Sequence, residues 1–205
     1  MHASQQYKEA LRLIRNGHSR GCPKCMALLE IAATNGDPLA VYALATWYLH
    51  GTGVKRNYRH AARLLRKAAD AGVVAAQYDL AVCYENGNGV QRLPSEAYSY
   101  YLKAANAGDR GARSEIARCY YYGIGTRKNL RKAFEWYWRA AKSGDPESQY
   151  VVGRAYELGE GCRKNDTAAM NWYKRAAEGG NEIAKRIVSS LESRNADAVS
   201  NGKMK

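Results

Sequence analysis

The sequence contains one pair of residues whose spacing suggests chemistry of its own, Cys22 and Cys25 in the segment Cys-Pro-Lys-Cys. Two thiols at this spacing at the start of a helix, with Lys24 between them, could have lowered pKa values and act as a redox pair. With His18 they could supply three zinc ligands, but no fourth ligand is evident nearby. Because no thioredoxin-type βαβ pattern surrounds the pair, we favour a plain helix start and predict neither a metal nor another cofactor.

Other residues that could carry chemistry lack the spacing that it needs. The four histidines are scattered along the chain, and none lies at metal-ligand spacing from another. Gly-x-Gly segments recur, but no Gly-Lys-Ser/Thr follows them, so they are turns and not phosphate-binding loops. No Ser/His/Asp or Cys/His set can be proposed from spacing. The sequence therefore indicates a protein that is not an enzyme.

Glycines recur at a fixed interval of 36 residues and divide the chain into similar segments. They form three sets, Gly36, Gly72, Gly108, Gly144 and Gly180, then Gly51, Gly87, Gly123 and Gly159, then Gly53, Gly89, Gly125 and Gly161. A fixed period of this size is typical of stacked supersecondary units and not of one globular core.

Each segment between the glycines reads as two helices. In the first helix, small, aliphatic and aromatic residues recur at spacings that place them on one stripe, as at Ala40, Leu44, Ala45 and Tyr48. The second helix carries alanines and a bulky pair, as at Ala61, Leu64, Leu65, Ala68 and Ala69. Glycines suit the left-handed backbone at the helix ends. Polar residues then follow as N-caps of the first helices, at Asp37, Asp109, Asp145 and Asn181.

This pattern resembles the Sel-one-like repeat, a relative of the tetratricopeptide repeat with a slightly longer inner turn. The residues that carry the resemblance are 112–125, Asn129 and 133–144. The resemblance implies an all-α fold, a right-handed α/α superhelix (a solenoid) of 36-residue helix-turn-helix repeats. The repeat register gives about eleven helices. The resemblance also implies that the first helix of each repeat lines a concave side.

The repeat register predicts three parts of the chain. Residues 1–35 form a degenerate N-terminal capping repeat, residues 36–192 a repeat solenoid, and residues 193–205 a flexible polar tail. The solenoid comprises four full repeats, followed by a C-terminal half repeat. The full repeats are 36–71, 72–107, 108–143 and 144–179.

Hydropathy and cysteine usage indicate a cytoplasmic protein without membrane insertion. No apolar run approaches the length that spans a bilayer, and the N-terminus shows no signal region or cleavage site. Five cysteines cannot all pair, and no pair recurs within the repeats. Some secreted members of the repeat family carry a disulfide in every unit, and this sequence departs from them. We therefore expect Cys83 and Cys119 to be buried free thiols.

The chain is strongly basic, and the basic residues are unevenly distributed. The formal net charge is +13, and residues 109–144 alone carry nine basic and three acidic side chains. Much of the excess lies in the second helices or the turns before them. It includes a basic patch formed by Arg56, Arg59, Arg63, Arg127, Lys128, Arg131 and Lys132. Such a surface favours an acidic partner.

The function we favour is a non-catalytic adaptor or scaffold that binds a partner protein or peptide in the concave groove. Positions opposite the buried stripe of each first helix are exposed, and they mix apolar, aromatic and charged side chains as a peptide groove does. The predicted groove residues are Thr46, His50, Asp79, Val82, Asn86, Glu115, Arg118, Tyr122, Arg154 and Leu158. The expected partner is a protein with an acidic surface or peptide.

The alternative is a helical-repeat protein that binds nucleic acid through the basic faces of its second helices. Aromatic runs interleaved with Arg and Lys resemble stacking platforms for single strands. The repeat register marks most of these aromatic residues as packing residues. Tyr121, Tyr122 and Trp138 lie off the core stripe and are the exceptions.

Overall fold

The computed structural model describes residues 4–16 and 22–202, and for 194–202 only the backbone. These residues form eleven α-helices and no strands. The helices are α1 (Gln5–Arg15), α2 (Pro23–Thr34), α3 (Pro38–His50), α4 (Tyr58–Asp70), α5 (Val74–Asn86), α6 (Pro94–Asn106), α7 (Arg110–Tyr122), α8 (Leu130–Lys142), α9 (Pro146–Leu158), α10 (Asp166–Glu178) and α11 (Glu182–Gly202). The prediction of an all-α fold built from helix-turn-helix repeats is confirmed.

The chain divides into two compact units, an N-terminal unit, Met1–Asp109, and a C-terminal unit, Arg110–Lys205. In the N-terminal unit the hairpins α1–α2, α3–α4 and α5–α6 stack, because α2 packs on α3 and α4 packs on α5. In the C-terminal unit α8 packs on α9 and α10 on α11 in the same way. Within each unit, the apolar face of one repeat is thus covered by the next. The division falls inside the segment predicted as one solenoid.

Side-chain caps begin most of the helices. Asp37, Asp145 and Asn181 accept hydrogen bonds from N–H groups in the first turns of α3, α9 and α11, as the sequence predicts. Asparagines cap the second helices α4, α8 and α10 in the same manner, at Asn57, Asn129 and Asn165. These side chains satisfy backbone donors that have no partner inside the helix.

In two of the inner turns the second glycine, Gly89 or Gly161, lies against the preceding repeat. A Cβ atom on Gly89 would stand 2.0 Å from the carbonyl oxygen of Tyr58, and one on Gly161 would stand 2.2 Å from that of Leu130. Real Cβ atoms do not approach backbone atoms so closely, so the turn can pack on the start of the neighbouring second helix only if this residue is glycine.

The buried stripe of the first helices is wider than the sequence predicts. Ala40, Leu44 and Ala45 are buried as expected, while Tyr48 is only half-buried and its neighbour Trp47 is buried instead. Cysteines or an alanine occupy the position of Trp47 in later repeats, at Cys83, Cys119 and Ala155, and all three are buried. The residue type at this position varies between tryptophan, cysteine and alanine, so the position does not stand out in the recurring pattern.

The N-terminal hairpin contains the only disulfide among the described residues, between Cys22 and Cys25. The Cys22 sulfur also accepts a hydrogen bond from the Cys25 N–H and caps α2, so the segment begins a helix, but the disulfide is not part of the interpretation that we favoured. His18, the third zinc ligand considered, lies outside the described residues. Cys83 and Cys119 are buried and take part in no disulfide within the described part of the chain.

The C-terminal segment predicted as a flexible tail is helical as far as Gly202. Residues 193–202 continue α11 as helix, although the apolar periodicity ends near Leu191. The segment contains neither proline nor glycine before Gly202, so nothing in it interrupts the helix. The flexibility of the tail stays a prediction.

Candidate functional site

Two adjoining cavities lie between α7, α8 and α9 in the C-terminal unit. The first, the aromatic cavity, has a volume of about 250 Å³. Its walls are Tyr121, Tyr122, Leu130, Ala133, Phe134, Tyr137, Val151, Arg154, Ala155 and Glu160. The second, the polar cavity, has a volume of about 320 Å³ and is lined by Ser114, Glu115, Arg118, Tyr137, Asp145, Glu147, Ser148 and Val151. The cavities share Tyr137 and Val151, and together they form what we call the C-terminal groove.

The aromatic cavity lies where the repeat pattern changes. Tyr101 and Tyr173 occupy the positions equivalent to Tyr137, and their hydroxyls donate hydrogen bonds to Glu85 and Glu157 of their own hairpins, at 2.8 and 2.5 Å. These glutamates lie in the first helices α5 and α9, and they fix the tyrosine ring against its own hairpin.

In the hairpin α7–α8 the equivalent glutamate is replaced by Tyr121. The Tyr121 hydroxyl donates instead to a carboxylate oxygen of Glu160, in the turn after α9, at 3.0 Å. Within the part of the chain that the structure describes, no group accepts a hydrogen bond from the Tyr137 hydroxyl. The replacement thus removes the acceptor for Tyr137 and leaves its phenol available to both cavities.

Electrostatics keep Tyr137 in its neutral form. Burial raises the pKa of Tyr137 to about 12, and the nearby Tyr122 and Glu115 act in the same direction, while Arg118 opposes them. At neutral pH the phenol is therefore protonated and is a hydrogen-bond donor.

The polar cavity combines several carboxylates with one guanidinium group. Arg118 forms an ion pair with Glu115, with 2.8 Å between Nε and Oε2. Asp145 caps α9, and Glu147 accepts a hydrogen bond from the Asn181 amide at 2.9 Å. These bonds hold the carboxylates in place at the wall of the cavity.

Ser148 stands at the base of the polar cavity and differs from its counterparts in the other repeats. Only 1% of its surface is exposed, and no described group forms a hydrogen bond with its Oγ atom. The equivalent residues are all fully buried alanines, at Ala40, Ala76, Ala112 and Ala184. A buried hydroxyl without a partner is unfavourable, and alanine fills the same place without that cost.

The structure brings together four of the predicted groove residues in the C-terminal unit. Glu115, Arg118, Tyr122 and Arg154 line the two cavities. Tyr122 is 67% exposed, and Leu158, its equivalent in α9, is 55% exposed without lining either cavity.

The predicted groove residues of the N-terminal unit are partly engaged within the protein. Asp79 accepts a hydrogen bond from the Tyr42 hydroxyl at 3.0 Å, which links α3 to α5, and burial raises its pKa. The Thr46 hydroxyl donates to the Ala43 carbonyl oxygen of its own helix at 2.8 Å. Val82 is half-buried, while the remaining two, His50 and Asn86, are exposed.

Residues other than the predicted groove residues also line the cavities. They are Tyr137, which the repeat register marks as a packing residue, and Phe134, Ser148 and Glu160. The signal in the sequence that points to these cavities is a residue that differs from its equivalents in the other repeats. Ser148 stands where the other repeats have alanine, and Tyr121 stands where two repeats have glutamate.

The basic patch lies at the surface, and several of its members contact neighbouring side chains. Arg56, Arg59, Arg63, Arg127, Lys128, Arg131 and Lys132 are all exposed. Lys128 and Lys132 stand over the rings of Tyr121 and Tyr120 at 5.8 and 5.3 Å. Arg131 forms an ion pair with Glu135 at 3.5 Å.

Neither a metal site nor a membrane span is found in the described part of the chain. Among its His, Cys, Asp and Glu side chains no group of three could hold a metal ion. None of the described helices combines the length and apolar character needed to cross a bilayer.

Two solved structures resemble this chain closely in fold. One is a protective antigen from uropathogenic Escherichia coli strains that displays an SLR fold, with a TM-score of 0.86 and 27% identity over 93% of this chain. This chain spans 41% of the length of that structure. The other is a Sel1 repeat protein from Oxalobacter formigenes, with a TM-score of 0.83 and 29% identity, covering 90% of this chain and 74% of that one.

A more distant similarity concerns the fold alone. Cysteine rich protein B of Helicobacter pylori matches with a TM-score of 0.50 and 22% identity, over 62% of this chain and 96% of that protein. No curated protein sequence matches the chain.

The model of one repeat family matches four successive segments, which together make up well over half of the chain. Described as Sel1 repeat, it matches residues 38–73, 74–109, 112–145 and 146–181. The matched segments contain the hairpins α3–α4, α5–α6, α7–α8 and α9–α10. The chain belongs to the Sel1 repeat family.

Proposed function

We propose that this protein is a non-catalytic adaptor that binds a segment of a partner protein in the C-terminal groove. Sel1 repeat proteins are generally protein-interaction scaffolds and generally not enzymes. The observation that carries the proposal is the aromatic cavity, which opens where Tyr121 replaces the glutamate of two other repeats.

The composition of the cavity favours a protein partner over a small molecule. Its volume of about 250 Å³ suits a single apolar side chain. Tyr121, Tyr122, Phe134 and Tyr137 supply aromatic surface, and aromatic residues dominate the energetics of protein interfaces. Arg154 and Glu160 at its edge can bind the backbone or polar side chains of the same segment.

The proposal places the main contact in α7, α8 and α9 rather than evenly along all first helices. Tyr122 and Leu158 are large, apolar and exposed, whereas the equivalent residues in α3 and α5 are the polar His50 and Asn86. An aromatic anchor buried on binding contributes more than a polar contact at the rim of an interface.

Site-specific photocrosslinking tests this proposal in the native cell. A photoreactive phenylalanine analogue at position 122 should form a covalent adduct with a discrete partner protein. The same analogue at the exposed, equivalent position 86 in α5 is the matched control. We expect the yield of the adduct from position 122 to fall at least about tenfold when Phe134→Ala is added, because part of the cavity wall is removed.

Adducts of equal yield from positions 86 and 122 would contradict the proposal. So would a complete lack of adducts from position 122 in a variant that unfolds at the wild-type temperature.

A further inference from the structure

The unpartnered hydroxyl of Ser148 indicates that the polar cavity is built to hold a polar group. Ser148 is one of the residues that line the cavity, and its buried Oγ atom forms no hydrogen bond with any described group. Every equivalent residue is alanine, so packing does not require the hydroxyl. A ligand atom that bonds this oxygen would remove the cost of leaving it unsatisfied.

The charges around the cavity favour a cation. Three carboxylates, those of Glu115, Asp145 and Glu147, face one guanidinium group, that of Arg118. Arg118 is paired with Glu115, while Asp145 and Glu147 form no ion pair within the described residues. Each carboxylate accepts about four hydrogen bonds and uses only part of that capacity here. The local excess of negative charge stands out against the net charge of +13 for the whole chain.

The shape of the acceptor set suits a guanidinium group better than an ammonium group. A guanidinium carries five donors in one plane and can reach several carboxylates and a hydroxyl together. Its flat face can also stack on an aromatic ring, and Tyr137 supplies one at the wall between the two cavities. A lysine ammonium would use fewer of these acceptors.

We propose that the polar cavity binds the guanidinium group of an arginine in the partner segment, next to an apolar side chain in the aromatic cavity. Glu147 and Asp145 accept from the guanidinium, Ser148 accepts a further hydrogen bond, and Tyr137 separates the two side chains. This inference rests on the proposed function, since it assumes a peptide segment in the C-terminal groove. It assigns a basic partner segment to the groove, although the outer surface of the chain is itself basic.

Selection from a library of short random peptides, displayed against the full chain, tests the inference. We expect the bound peptides to share an arginine adjacent to an aromatic or long aliphatic residue. Replacing that arginine with citrulline keeps the shape and removes the charge, and it should weaken binding by about tenfold or more.

Variants of the protein test whether the arginine of the peptide binds in the polar cavity. The double change Asp145→Asn and Glu147→Gln removes two charges while keeping the cap of α9, because asparagine caps helices as well as aspartate does. We expect this double change to weaken binding of the arginine peptide by about tenfold and to leave binding of the citrulline peptide unchanged. Glu178→Gln, on the exposed surface of α10, is the matched control and should change neither.

The outcomes separate this inference from the proposed function. Peptides that need Tyr122 but show no preference for arginine would overturn the inference and leave the groove in place as a binding site. Acidic peptides that bind through Tyr122 would do the same. A selection that yields no peptides, or only peptides whose binding survives Tyr122→Ala, would overturn both.

Discussion

At the scale of single residues, the proposed role of Ser148 predicts a cost in stability for the free protein. Its hydroxyl is buried without a partner, while four equivalent positions carry alanine. We predict that Ser148→Ala raises the free energy of unfolding by about 1 kcal/mol, because an unsatisfied buried group is removed and alanine favours the helix. For a chain of this length that corresponds to a rise in melting temperature of roughly 2–4 °C.

The matched control for this change is Ala76→Ser in α5. Ala76 is equally buried at the equivalent position, so adding a hydroxyl there should lower the melting temperature. A melting temperature of Ser148→Ala at or below that of the wild type, measured by thermal unfolding, would show that the hydroxyl is satisfied in the free protein.

Tyrosine is the residue that ties the helices together with polar bonds. The chain has sixteen tyrosines and one phenylalanine. Tyr42 bonds Asp79, Tyr101 bonds Glu85, and Tyr173 bonds Glu157, in each case across two helices of one unit. A thin repeat core leaves one end of each ring near the surface, so a hydroxyl there can find an acceptor while the ring is buried. Tyr137 is different, because no described group accepts a hydrogen bond from its hydroxyl, and it lines both cavities of the C-terminal groove.

At the scale of elements, the inner turns carry the most stringent steric requirement. Gly87 and Gly89 have similar left-handed backbones, with φ of +77° and +73°, but their surroundings differ. Space remains for a Cβ atom at Gly87, while one at Gly89 would overlap the Tyr58 backbone. We predict that Gly87→Ala lowers the free energy of unfolding by about 1–2 kcal/mol, because alanine is strained in the left-handed backbone conformation.

Gly89→Ala should cost clearly more, about 3 kcal/mol or above, because overpacking against a neighbouring backbone adds to the same conformational cost. Urea unfolding of the two variants measures the difference directly. Equal losses of stability would mean that the turn can move away from α4 without cost.

The sequence alone explains why the first residue of each turn is glycine, but it does not explain why the second one is. A glycine at the end of an amphipathic pattern is explained locally, by the left-handed residue that terminates the helix. The requirement at Gly89 comes from Tyr58, which lies in the previous repeat. The sequence shows that this glycine recurs, but the steric reason for it is visible only when the packing of the two elements is known.

Basic residues of the second helices also have a role inside their own elements. Lys103, Arg139 and Arg175 occupy equivalent positions and stand over the rings of Tyr100, Trp136 and Trp172, at 4.6, 4.6 and 5.0 Å. Each contact of this kind contributes about 0.5–1 kcal/mol at an exposed site. Part of the positive charge is therefore explained by packing within the helix and not by a partner.

At the scale of the whole molecule, the periodicity of the sequence made the fold predictable but not the candidate site. Many positions recur together, so helix order, turns and caps followed from the register. The C-terminal groove arises from single departures at Tyr121 and Ser148, and its volume depends on how three helices meet. A consensus pattern does not show such departures, so the predicted groove residues include Glu115, Arg118, Tyr122 and Arg154 but not Phe134, Ser148 and Glu160, which line the same cavities.

The net charge of +13 makes binding to nucleic acid the main alternative to test on the full chain. In a gel-shift titration against mixed single- and double-stranded oligonucleotides, we predict only weak binding that falls steeply with salt. Dissociation constants should lie in the non-specific range of about 10⁻⁴–10⁻⁶ M at physiological salt, because dispersed lysines and arginines contact phosphates without reading bases. Reversing the charges of Arg127, Lys128, Arg131 and Lys132 should weaken this binding further and leave the crosslink at position 122 intact. Submicromolar binding with a preference for one strand type or sequence would instead assign the basic patch a role of its own.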